Sequence, residues 1–168
     1  LVHTGTANPE NVNDIEIHPA TNEIWVSTSS NMYGNPGGYY YSSTDGTNFT
    51  RHSPPTYSGT TAGNVGRIEI EPSPTNANKF YILLQDYADG AEIYVTTDKF
   101  SSTTKLNEPN DADDGISATD FTRGQSFYDL EIETDPSNEN IVYVGGIDLF
   151  RSADGGTNWN QISKQSNS

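Results

Sequence analysis

The sequence predicts an all-β fold built from three copies of one four-stranded unit, and three observations carry that prediction. Tyr, Phe and Trp make up 11% of the 168 residues, with a single methionine and a mean hydropathy of −0.70. Aromatics therefore supply much of the packing, a bias that favours strands. Ser, Thr, Asn, Gly and Pro recur at short intervals, and no stretch of ten or more residues keeps a 3.6-residue period. The same succession of strand types then appears three times along the chain.

The first copy runs from Asn13-Asp14-Ile15-Glu16-Ile17-His18-Pro19 through Ile24-Trp25-Val26 to Tyr39-Tyr40-Tyr41-Ser42-Ser43 and Asp45-Gly46. The second runs from Gly66-Arg67-Ile68-Glu69-Ile70-Glu71-Pro72 through Phe80-Tyr81-Ile82-Leu83-Leu84 to Glu92-Ile93-Tyr94-Val95-Thr96 and Asp98. The third runs from Tyr128-Asp129-Leu130-Glu131-Ile132 through Ile141-Val142-Tyr143-Val144 to Leu149-Phe150-Arg151-Ser152 and Asp154-Gly155-Gly156. In each first strand apolar residues flank a glutamate (Glu16, Glu69, Glu131), which puts the apolar side chains on one face and the glutamate on the other. The second strands are apolar on both faces, so they are covered on two sides. The fourth strands are short and polar. Radially stacked blades of a β-propeller produce that gradient. A β-sandwich is the alternative, but it does not readily explain three copies with one order of strand types. The predicted units span 11–57, 64–109 and 126–163, in one segment covering 1–168.

The turn after each third strand resembles the Asp-box, or BNR repeat, of sialidases, some glycoside hydrolases and sortilin-type propellers. Ser152, Asp154, Gly156 and Trp159 follow that pattern, with Asn158 in place of the usual Thr. Ser43, Asp45, Gly46 and Phe49 follow a version one residue shorter, and Thr96, Asp98 and Phe100 keep a remnant. The resemblance covers about residues 11 to 163 and implies a partial β-propeller of about three four-stranded antiparallel blades. It also implies that the boxes are structural, with the carboxylate accepting backbone N–H bonds, Gly supplying positive φ and the aromatic tucking beneath the turn. The segments Asp120-Phe121-Thr122-Arg123-Gly124-Gln125 and Val144 to Ser152 resemble large exported Asp-box proteins of Bacteroidetes, which carry a type IX sorting domain absent from this sequence. A ring needs about four to eight blades. The expected partners are therefore the remaining blades of a parent protein, or another chain, because an open blade exposes apolar surface.

A formal charge of −15, from 23 acidic against 8 basic residues, sets this chain against nucleic acid and anionic lipid. No apolar run is long enough for a transmembrane helix, so no membrane insertion is expected. There is no cysteine, hence no disulfide or thiolate metal site. A chain opening at Leu1 without a signal-peptide pattern is expected to be a processed product or an excised piece, and its composition resembles secreted or cell-surface bacterial proteins.

Candidate chemistry is thin. Asp111, Asp113 and Asp114, followed by Asp120, present alternating carboxylates before Gly115 and are candidate calcium ligands, although no glutamate completes an EF-hand. Sialidase chemistry needs several converging arginines, and only Arg51, Arg67, Arg123 and Arg151 exist. Glycoside hydrolysis needs two spaced carboxylates, for which Asp14 and Asp129 at the starts of inner strands are the weak candidates. His3, His18 and His52 show no ligand spacing. The tyrosine run at 39–41 and the loop at 31–38 offer stacking surfaces for sugars, or simply alternate between core and surface. The expected function is a non-catalytic propeller portion serving adhesion or glycan/protein binding, with a fragment of a propeller-type glycoside hydrolase acting on polysaccharide as the alternative.

Overall fold

The computed structural model describes residues 11–32, 37–61, 64–112, 115 and 120–164. Twelve strands form three four-stranded antiparallel sheets. The first contains β1 (Asn11–Ile17), β2 (Ile24–Ser29), β3 (Tyr40–Ser43) and β4 (Thr50–His52). The second contains β5 (Val65–Pro72), β6 (Phe80–Asp86), β7 (Gly90–Thr96) and β8 (Thr104–Lys105). The third contains β9 (Glu131–Asp135), β10 (Asn138–Gly145), β11 (Leu149–Ser152) and β12 (Asn160–Gln161). Each sheet is a simple meander, and the three stack face to face as propeller blades.

Strand β6 shows why its sequence is apolar throughout. Phe80, Ile82 and Leu84 project into a core shared with the first blade, which supplies Trp25 and Tyr40. Tyr81 and Leu83 project oppositely into a core shared with the third blade, which supplies Leu130, Ile132, Val142, Val144 and Phe150. Side chains alternate across a strand, so a blade between two others must be apolar on both faces. Phe80, Tyr81, Ile82, Leu83 and Leu84 are all 0% exposed, and burying each aliphatic one contributes roughly 1.5–3 kcal/mol.

The inner strands are edge strands with backbone groups to satisfy, and their polar side chains bridge the blades to do so. Asn13 Nδ2 donates to Ile68 O at 2.6 Å, and Ser27 Oγ donates to the same carbonyl. Asp14 Oδ2 accepts from Ile70 N at 2.9 Å. One blade further on, Glu71 Oε1 accepts from Thr134 N at 3.0 Å and from Thr134 Oγ1.

Strand pairing corrects the alignment of the copies. Glu16, Glu71 and Glu133 face Trp25, Tyr81 and Tyr143 across the sheet, so these are the equivalent glutamates, rather than Glu16, Glu69 and Glu131. Asp14 consequently corresponds to Glu69 and Glu131, and it is not matched by Asp129, which lies two residues ahead of β9. The cause is the period of two: Ile-Glu-Ile-Glu fits the same face after a slip of two residues.

The equivalence exposes an asymmetry. Ile70 and Ile132 are 1% and 4% exposed beneath the preceding blade, whereas their counterpart Ile15 is 60% exposed. Ile17 beside it is 62% exposed. The first blade has no cover on that face among the described residues.

Candidate functional site

The inner strands β1, β5 and β9 run in the same sense, giving the molecule a loop end where they begin and a turn end where they finish. A hollow opens at each.

At the turn end the three equivalent glutamates Glu16, Glu71 and Glu133 surround a hollow of about 350 Å³ walled by Pro19, Pro74 and Pro136. The turns there are tight and capped alike. His18 Nδ1 accepts from Ala20 N at 3.1 Å, Ser73 Oγ from Asn76 N at 3.0 Å, and Asp135 Oδ1 from Ser137 N at 2.8 Å. The carboxylates repel one another. Burial, then the charges of Asp14, Glu71 and Glu133, push the Glu16 carboxyl up to about 8. Burial likewise lifts Glu71 to about 7, against the opposing bonds from Thr134. Glu69 rises to about 7, chiefly through burial and the charge of Asp14, against the pull of Arg67. Burial raises Asp14, Glu131 and Glu133 as well. Among the described residues no three His, Asp or Glu side chains converge as metal ligands do.

The three turns after the third strands also lie at this end. Asp45 accepts from Thr47 N and Asn48 N at 2.8 and 2.7 Å, and Ser43 Oγ accepts from Gly46 N. Asp154 Oδ1 accepts from Asn158 N at 2.8 Å, and Ser152 Oγ accepts from Gly156 N at 2.8 Å. Asp98 accepts from Ser102 N and Ser102 Oγ, while Thr96 Oγ1 accepts from Phe100 N. These bonds hold all three Asp carboxyls below the ordinary range. Gly46 and Gly156 have φ of 69° and 90°, which favours glycine. Phe100 enters the core between the first two blades against Tyr40 and Trp25. Phe49 is half-buried, and Trp159 is too, with its Nε1 donating to Asn107 O at 2.7 Å.

At the loop end a second hollow, of about 290 Å³, gathers residues from every blade. The first blade contributes Asn13, Ser29 and Ser30; the second contributes Arg67, Gln85 and Tyr87; Phe127 comes from the segment leading into the third. No carboxylate is in this lining. Arg67 Nε donates to Glu69 Oε1 at 2.7 Å and Nη1 to Tyr128 O at 2.9 Å, so its head is fixed. Tyr87 is 56% exposed and Phe127 64%, and Ser30 Oγ bonds the Tyr87 hydroxyl at 2.5 Å. A Cβ on Gly66 would stand 2.3 Å from Gln85 Oε1 and 2.9 Å from Tyr87 Cζ, so a larger residue there would push these two side chains aside.

The segment carrying Phe127 is anchored by a buried ionic bridge. Arg123 Nε donates to Asp111 Oδ2 at 2.8 Å and Nη2 to Asp148 Oδ2 at 2.7 Å, and both carboxylates are almost wholly buried. Of the candidate calcium ligands, Asp111 is therefore turned toward Arg123, Asp120 accepts from Thr122 N and Gly124 N, and Asp113 and Asp114 lie outside the described residues. Asp129 is half-buried, its N–H donating to Gln125 O. Asp14 and Asp129 do not both line either hollow.

Two further pairs escape sequence reasoning. Ser42 Oγ meets His52 Nε2 at 2.8 Å across β3 and β4, but the imidazole is stacked on Trp25. Lys105 pairs with both Glu92 and Glu108, and burial beside the Glu92 charge pushes Glu108 up to about 8.

No protein-family model and no curated protein matches the chain. Solved structures do. The GH74 enzyme of Niastella koreensis is similar at 19% identity and a TM-score of 0.59, over 93% of this chain and 22% of that one. YCF48 from Cyanidioschyzon merolae is similar at 11% identity and a TM-score of 0.60, over 93% of this chain and 41% of that one. YCF48 bound to D1 peptide is similar at 13% identity and a TM-score of 0.53, over 95% of this chain and 43% of that one. The chain thus spans less than half the length of each. At these identities the likeness concerns the fold, and three four-stranded blades of a β-propeller are what the chain forms.

Proposed function

We propose that this chain is the non-catalytic portion of a larger Asp-box propeller in an exported bacterial surface protein, and that it serves adhesion or glycan/protein binding through its loop end. One observation carries the binding reading. Inner-strand carboxylates at Asp14 and Glu71 are engaged in joining blades, whereas the loop end presents exposed aromatics around a polar hollow. Binding groups concentrate on loops positioned by a rigid scaffold. Further blades are the natural cover for Ile15 and Ile17, because the same surface is closed by a blade at Ile70 and Ile132. The likeness to YCF48 with a bound peptide and to a GH74 enzyme is consistent with protein or glycan partners.

The runner-up is a fragment of a propeller-type glycoside hydrolase. It is favoured by Glu108, whose carboxyl burial beside the Glu92 charge pushes up to about 8, as a general acid requires. The test is incubation with soluble polysaccharides followed by assay of new reducing ends. Binding without release supports the leading reading. Release that disappears in Glu108→Gln replaces it with the hydrolase.

A further inference from the structure

We infer that the loop-end hollow is a binding site for a neutral polysaccharide strand, with Tyr87 and Phe127 as stacking platforms and the Gln85 amide and Asn13 Oδ1 as the hydrogen-bonding groups. This rests on the reading of the chain as a binding module.

The chemistry of the lining selects the ligand class. A polyanion meets a chain of charge −15 and an arginine whose Nε and Nη1 are already bonded to Glu69 and Tyr128 O. A polycation finds no carboxylate in the lining and is drawn to the opposite end, where Glu16, Glu71 and Glu133 converge. A neutral polyhydroxylated ligand suits what remains. The Gln85 amide and the hydroxyls of Ser29 and Ser30 offer donors and acceptors together, as sugar hydroxyl groups require, and Asn13 adds the acceptor Oδ1 while its Nδ2 stays engaged with Ile68 O and Glu69 Oε1. Tyr87 and Phe127 give ring faces with an apolar body, 56% and 64% exposed at the rim of one hollow. The arrangement is fixed before a ligand arrives: Tyr87 is tied to Ser30, Arg67 to Tyr128 O, and Phe127 lies four residues from the Arg123 bridge. Preorganised sites lose less entropy on binding. A hollow of about 290 Å³ is near the lower limit of small-ligand pockets and open to solvent, which fits a chain passing across it.

The experiment is affinity electrophoresis of the 168-residue chain in native gels containing hydroxyethyl cellulose, galactomannan or polygalacturonate. Wild type, Tyr87→Ala and Phe127→Ala run side by side, with thermal melts to show that the variants stay folded. The expected result is retardation by at least one neutral polymer and none by polygalacturonate. Each alanine variant should weaken it at least about tenfold, as loss of an aromatic anchor does. Retardation that both variants leave unchanged overturns the assignment of the hollow while the binding-module reading stands. Retardation by polygalacturonate alone, or by none of the polymers, overturns the neutral-glycan assignment. Release of reducing ends from a retarding polymer is the separate result that removes the non-catalytic reading.

Discussion

The two ends of the inner strands are built from the same three strands and have opposite chemistry. At the turn end the connections are short, each copy repeats the same capped turn before a proline, and three equivalent glutamates crowd one hollow. At the loop end the connections differ in length and sequence from blade to blade, and the hollow there is neutral and edged by exposed rings. Repetition thus serves the folding of each blade, and departure from it makes a surface unlike any single repeat. A binding function is better served by the end that varies.

The largest test of this contrast lies in the bridge beneath Phe127. Replacing Arg123 with Ala leaves Asp111 and Asp148, with side chains 0% and 1% exposed, without their shared cation. Loss of one partner from a buried ionic group costs about 3–5 kcal/mol. Chemical denaturation should show that loss, and Arg123→Lys should recover only part of it because an ammonium cannot span both carboxylates in a planar fork. If Arg123→Ala melts like wild type, the bridge does not hold the loop end rigid. A smaller effect is expected at the turn end. Ser152 is fully buried, donates to Asp154 and accepts from Gly156 N. Ser152→Ala leaves that N–H without its acceptor, at a cost of about 1–3 kcal/mol. A midpoint shift equal to that of Arg123→Ala would erase the distinction between a local turn and an anchoring bridge.

The legibility of the sequence divides along the same line. The doubly apolar β6 and the Ser-x-Asp spacings of the turns were readable because both arise from local, repeated requirements. The register of the inner strands was not, since Glu69-Ile70-Glu71 and Glu131-Ile132-Glu133 satisfy the same alternation two residues apart and only pairing with β6 and β10 decides between them. The loop-end hollow was also hidden. Its lining spans Asn13 to Phe127, and Arg123 reaches partners 12 and 25 positions away. The one available signal was Phe127-Tyr128, an aromatic pair within the polar run 122–129. Asp14 and Asp129 are both carboxylates near strand starts, but the fold engages Asp14 with Ile70 N and sets Asp129 apart from it.

The smallest expected effect is also the most diagnostic of the turn end, because its sign is unusual. Glu16 and Glu71 have folded pKa values near 8 and 7 against an ordinary value of 4.5, and Glu133 is raised as well. Between the ordinary and the folded values the unfolded chain has released protons that the folded chain still holds. The unfolded state therefore binds fewer protons, and stability falls as pH rises through that window. Asp45, Asp98 and Asp154 act in the opposite sense, since their lowered values contribute stability that is lost as pH falls below about 4. The two sets together place maximum stability near pH 5, where the glutamates are still largely protonated and the turn aspartates already ionised. The melting temperature is expected to drop by a few degrees from pH 5 to pH 8, and Glu16→Gln should reduce that drop by removing the turn-end group raised furthest. Glu108 at the loop end adds the same sign of dependence, so a residual slope in Glu16→Gln is expected. A melting temperature that instead rises over this interval would mean that the three glutamates do not hold protons in the folded chain, and the charge contrast between the two ends would then lose its physical basis.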